Sequence, residues 1–152
     1  MRFVTLRQGQ IWDLARHGFS ESVISTKLRI SRQSVHIMLN AARNKVVEAL
    51  NDAAQSNRIQ VRHMDVGNGI LAGYNPELNH KVVITYSPKN NVKIWYSHDS
   101  ECQHCKFDQS WVRTLLDEAD ERGIKLTTKE LRLPPAELAK AVFGKILPGV
   151  EL

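Results

Sequence analysis

One uninterrupted helical pattern does most to limit what this chain can become. It opens at Ser31, a residue suited to capping a helix, and meets no breaker until Ser56-Asn57. Two shorter helical segments precede it. Thr5 with Gln8 has the spacing of a capping box. The first helix carries Leu6, Ile11, Trp12, Leu14 and Ala15 mostly on one face, and His17-Gly18 ends it. Ser20 is placed to cap a second helix that buries Val23, Ile24 and Leu28, and Ile30-Ser31 leaves only a tight turn before the long segment. The long helix exceeds what a compact three-helix unit needs.

The period changes at Arg58. "RIQVRHM" alternates as a strand does, and Ile70–Tyr74 forms a possible short strand after the turn-rich "VGNG". "HKVVITYS" and "VKIWYSH" are β-branched and aromatic, and "PKNN" joins them as a hairpin over residues 81–98. A helix capped by Asp108 follows, running "SWVRTLLDEADER" to Gly123. "IKL" has the composition of a short strand, Thr127 with Glu130 repeats the capping-box spacing, and "AELAKAVFGKIL" makes a last helix after Pro134-Pro135. The expected fold is α+β: an N-terminal helix-turn-helix three-helix domain over residues 1–57, its third helix long, then a small α+β domain over 58–152 built from a β-hairpin or sheet plus two helices.

The third helix has two unlike sides. At about 100° per residue, Val35, Met38, Leu39 and Ala42 share one of them. Gln33, His36, Ile37, Asn40 and Asn44 fall opposite, with Arg32 and Arg43 on the flanks and no acid before Glu48. A face that only meets solvent usually mixes Glu with Lys. A face that enters a major groove avoids carboxylates, which phosphate repels. Amides match adenine edges, Arg matches guanine or phosphate, and Ile37 suits a thymine methyl. Charge placement agrees: residues 1–63 carry ten Lys/Arg against four Asp/Glu, although the whole chain is only +5. A plain three-helix bundle with a polar exterior is the competing structural reading.

The residues "VTLRQGQIWDLARHGFSESVISTKLRISRQSVHIMLNAARNKV" resemble the helix-turn-helix shared by LuxR-type regulators and the DNA-binding region of sigma factors. Thr5, Arg7, Ile11, Leu14, Gly18, Ser20, Ile24, Leu28, Ile30, Ser31, Val35 and Lys45 carry the likeness. Ser25 departs from the usual Ala, and Gly9-Gln10 replaces the Glu common in the first helix. The whole chain is similar to the archaeal Tfx family of DNA-binding regulators, which join such a head to a C-terminal α+β domain. "LLDEADERGIKL" resembles that family's C-terminal helix and turn. The resemblance implies a transcriptional regulator.

The DNA-binding residues expected are Arg7 and Ser31 on phosphates, Arg32, Gln33, Ser34, His36 and Asn40 on base edges, and Arg43 and Lys45 on phosphates again. Leu39, Ala42, Val46, Ala49 and Ala53, with Leu50 alongside, step by threes and fours. They form a heptad-like seam that either joins two copies or packs on the chain's own second half. A homodimer is expected, because one head makes few base contacts.

"SHDSECQHCKF" gathers both cysteines. His98, Cys102 and Cys105, with His104, His80 or His63 as a fourth donor, have spacing suited to one Zn2+; a redox-switched dithiol and plain loop residues are the alternatives. "GNGILAG" lacks the Gly-Lys-Ser/Thr of a phosphate loop, and "DEADER" reads as a solvated face. Trp95 and Trp111 read as core, with a sensory pocket between hairpin and helix as the alternative. No apolar run is long enough to span a membrane and no signal-peptide core opens the chain, so a cytoplasmic location is expected. The reading is a non-enzymatic, sequence-specific DNA-binding regulator. Alternatives are a metal- or redox-responsive protein-interaction module and a small metal-dependent nucleic-acid hydrolase.

Overall fold

The structure is a computed structural model and describes residues 4–97 and 109–152. The fold is α+β. Helices α1 (Leu6–Arg16), α2 (Glu21–Leu28) and α3 (Arg32–Ser56) come first. Strands β1 (Gln60–Asp65), β2 (Ile70–Asn75), β3 (His80–Ser87) and β4 (Asn91–Tyr96) follow, then helices α4 (Gln109–Glu121) and α5 (Pro135–Ile146). A single 3-10 turn, Glu130–Arg132, stands between the last two helices.

The local signals of the first three helices act where the sequence put them. Thr5 Oγ1 accepts from the Gln8 amide and Gln8 Oε1 accepts from the Thr5 amide, closing a capping box. Ser20 and Ser31 accept from Val23 and Ser34 amides. Arg29, at φ 54, makes the left-handed step between α2 and α3. Two residues differ from expectation. Leu6 is 85% exposed and Val23 42% exposed, because such short helices reach the core along one narrow stripe, here through Ile11 and Trp12 in α1 and Ile24 in α2.

The strands form one antiparallel meander in the order β1-β2-β3-β4. Its register shifts between Val61 and His63, a bulge on the edge strand β1. The central strands are buried on both faces, which explains their nearly continuous apolar sequences. Leu71, Val82, Ile84 and Tyr86 point to one core, shared with Trp12, Val35, Leu39, Val46 and Leu50. Ile70, Ala72, Val83 and Trp95 point to the other, shared with Leu115, Leu138, Val142 and Phe143. The molecule is therefore three layers: α1–α3, the sheet, and α4 with α5.

Of the two readings open to the seam, packing within one chain holds: Leu39, Ala42, Val46, Ala49 and Leu50 are buried in the core that α3 shares with the sheet, and Ala53 is half-buried against it. The extra length of α3 is what carries the helix across the sheet. Residues 124–126, "IKL", form no strand; Ile124 and Leu126 instead pack against the second core.

The acidic run of α4 also differs from expectation. It is a junction between layers rather than a solvated face. Glu118 is fully buried and pairs with buried Arg122, Oε2 to Nη1, at 2.5 Å. Arg122 also donates to the carbonyls of Asn68, Gly69, Tyr86 and Glu118. Burial pulls the guanidinium pKa down and the Glu118 carboxylate opposes it. Glu121 Oε2 accepts from Arg16 of α1 at 3.2 Å, and Asp117 pairs with Lys89. Gly69 sits where these layers meet. Its φ is +61, and a Cβ there would stand 2.5 Å from the Tyr86 carbonyl and 2.8 Å from the Trp12 ring.

Candidate nucleic-acid interface

One half of α3's circumference supplies the wall of the first core. The other half is open. Arg32, Gln33, His36, Ile37, Asn40, Arg43 and Asn44 are all exposed, while Val35, Leu39, Ala42 and Val46 are buried. Burial on one side fixes the rotation of the helix. A polar side chain at position 33 or 40 therefore has no route inward.

The start of the helix is pre-set. Ser31 Oγ accepts from the Ser34 amide at 3.0 Å and donates to Ser34 Oγ at 2.8 Å. The amides of Arg32 and Gln33, in the first turn, have no intrahelical acceptor and point outward along the positive end of the helix dipole. Arg7 reaches the same corner from α1. Its Nη2 donates to the Leu28 carbonyl at 3.3 Å and its Nη1 to Gln10 Oε1.

Midway along the face, three polar groups are chained. His36 Nδ1 lies 3.0 Å from Glu21 Oε1, and Asn40 Nδ2 lies 3.1 Å from His36 Nε2. With the proton on Nδ1, the ring donates to the carboxylate and accepts from the amide. Glu21 belongs to α2, so sequence reading along α3 alone did not include it. It brings one acid to the edge of a face otherwise free of them. Lys27 and Arg29 were also missed. Both are exposed in the last turn and cap of α2, Lys27 with its Nζ 4.9 Å from the Phe19 ring centroid. Their signal was available: two cations immediately before the Ser31 cap.

The structure brings Arg7, Ser31, Arg32, Gln33 and Ser34 to the turn, and His36, Asn40 and Arg43 along the helix. Lys45 it places apart. That side chain is half-buried and its Nζ donates to Gln8 Oε1 at 2.9 Å, tying α3 to the α1 capping box. The proposed zinc ligands His98, Cys102, His104 and Cys105, and the cap Asp108, lie outside the described residues. Among the described residues, no group of three or more His, Cys, Asp or Glu side chains is placed to hold a metal ion. His63 and His80 are both exposed, on β1 and at the start of β3. Among the described residues no helix is long and apolar enough to cross a membrane.

No family model, curated protein or solved structure matches the chain.

Proposed function

We propose that the chain is a sequence-specific DNA-binding regulator that presents the outer side of α3 to a major groove. The observation that carries the reading is the division of α3. Arg32, Gln33, His36, Asn40 and Arg43 stand exposed together, on a helix held rigid by a fully buried opposite side. Side chains with amide and guanidinium forks on a rigid support suit base edges. The free amides of the first turn, with Arg7, suit a backbone phosphate. One head offers few base contacts, so two copies acting on a paired site complete the proposal; α3's seam, already buried, is not their interface.

A second reading has its own support. Ile37 is 60% exposed in the middle of the face, with Glu21 at its edge, and both suit a protein partner better than phosphate. Selection of bound duplexes from a random pool, followed by affinity measurements on the winner at two salt concentrations, separates the two. The DNA reading predicts an enriched motif and an affinity that falls linearly in log–log form with salt. No enrichment, with weak and salt-insensitive binding, supports the protein-binding reading instead.

A further inference from the structure

On the side of the sheet away from α3 lies a cavity of about 200 Å³. Its walls are aromatic and aliphatic. Trp95 from β4 meets Trp111 of α4 edge-on, with centroids 4.8 Å apart, and Phe143 of α5 at 5.5 Å. Val83, Leu115, Pro135, Ala136, Ala139 and Leu152 add to the apolar lining. Trp111 remains 41% exposed although it touches this space. A cavity of roughly 150 Å³ with apolar walls admits one benzene ring. This one has room for one ring or two fused rings.

Tyr96, Ser97 and two lysines supply the polar lining, and the lysines supply its positive charge. Lys81 is engaged: its Nζ donates to Glu151 Oε1 at 3.0 Å. Lys140 of α5 is exposed and makes no hydrogen bond or ion pair among the described residues. An aromatic slot with one uncommitted cation at its edge selects a flat ring that carries a single negative charge.

We propose that this cavity binds a one- or two-ring aromatic monoanion, its ring among Trp95, Trp111 and Phe143 and its charge on Lys140. The location suits an effector. Val83 lines the cavity, while its neighbours Val82 and Ile84 face the core shared with α3. Helix α4 bears Trp111 and Leu115 at the cavity and ends at Glu121, the partner of Arg16 in α1. The word effector rests on the DNA-binding reading; occupancy of the cavity does not, and the test contains no DNA, so either idea can fail without the other.

The test uses the full chain and three probes of one shape: 1-naphthoate, the neutral 1-naphthylmethanol and the cationic 1-naphthylmethylamine. Equilibrium dialysis gives affinities, and the tryptophan indole N–H signals in 15N NMR report the site. The expected result is saturable binding of 1-naphthoate at least tenfold tighter than of the amine, with Trp95 and Trp111 signals moving and Trp12, in the other core, unmoved. Lys140→Glu, at an exposed position that leaves folding intact, removes the preference for the anion and retains binding of the neutral probe. Absence of saturable binding of any probe, equal affinity for all three charges, or a preference unchanged in Lys140→Glu overturns the proposal.

Discussion

The junction under α4 and the outer side of α3 are made from the same kinds of side chain, and the structure uses them in opposite ways. In the junction, the Arg122 guanidinium is bonded to the Glu118 carboxylate and to backbone carbonyls, and Arg16 is bonded to Asp13 and Glu121. On α3, Gln33, Arg32 and Arg43 face water. Leaving a buried polar group unpaired costs about 1–3 kcal/mol or more, so most of these groups are bonded within the protein, although Arg16 Nη1 and Glu121 Oε1 are buried without a partner among the described residues. Exposed groups on a rigid support keep their capacity for another molecule. Burial thus separates charge that holds layers together from charge that is available to a partner.

Removing half of the buried pair has the largest expected effect. Arg122→Met leaves the Glu118 carboxyl enclosed without its guanidinium partner, and is expected to cost about 3–5 kcal/mol in urea denaturation. Adding Glu118→Met should recover only part of that loss, since it removes the unpaired carboxylate while the carbonyls of Asn68, Gly69 and Tyr86 still lack the Arg122 donor. Gly69→Ala attacks the same junction through the backbone. Its left-handed φ and the close Tyr86 carbonyl predict a loss of about 1–3 kcal/mol by the same method.

Lys45 lies on the border between the two regions. With its ammonium committed to Gln8, Lys45→Ala should lower stability by about 1 kcal/mol and leave the salt dependence of DNA binding unaltered. A salt slope reduced by about one unit would instead assign Lys45 to the phosphate backbone. The smallest effect concerns an exposed pair. The Lys145 ammonium, and then the Thr127 amide, hold the Glu130 carboxyl below its ordinary pKa. The depressed value means that Glu130 adds stability above its unfolded pKa, about 4.3, and that this is lost as pH falls through the folded value. Glu130→Gln should flatten that acid limb slightly in a pH series of thermal melts.

Much of this arrangement was legible in the chain. Thr5, Ser20 and Ser31 act through atoms three residues away, so their caps can be read from sequence. The side of α3 carrying Gln33 and Asn40 followed from the helical period. What was not legible depends on contacts between distant segments. The seam of α3 reads equally as dimer stripe or internal packing, and only the sheet decides. Glu118 and Arg122 look solvated along their own helix until Asn68, Gly69 and Tyr86 are brought over them. Glu21 reaches His36 across the turn, fifteen positions away in sequence. "IKL" has strand composition, yet it joins no sheet among the described residues, and Ile124 and Leu126 pack on the second core instead.

The proposed role of the open side of α3 is to read base edges. The most direct measurement compares wild type, Arg32→Ala and Gln33→Ala for affinity to the selected duplex and to a scrambled duplex of equal length. Each variant is expected to keep its folding stability to within about 0.5 kcal/mol, yet to lose about 1–3 kcal/mol of discrimination between the two duplexes. Full discrimination in both variants would contradict it.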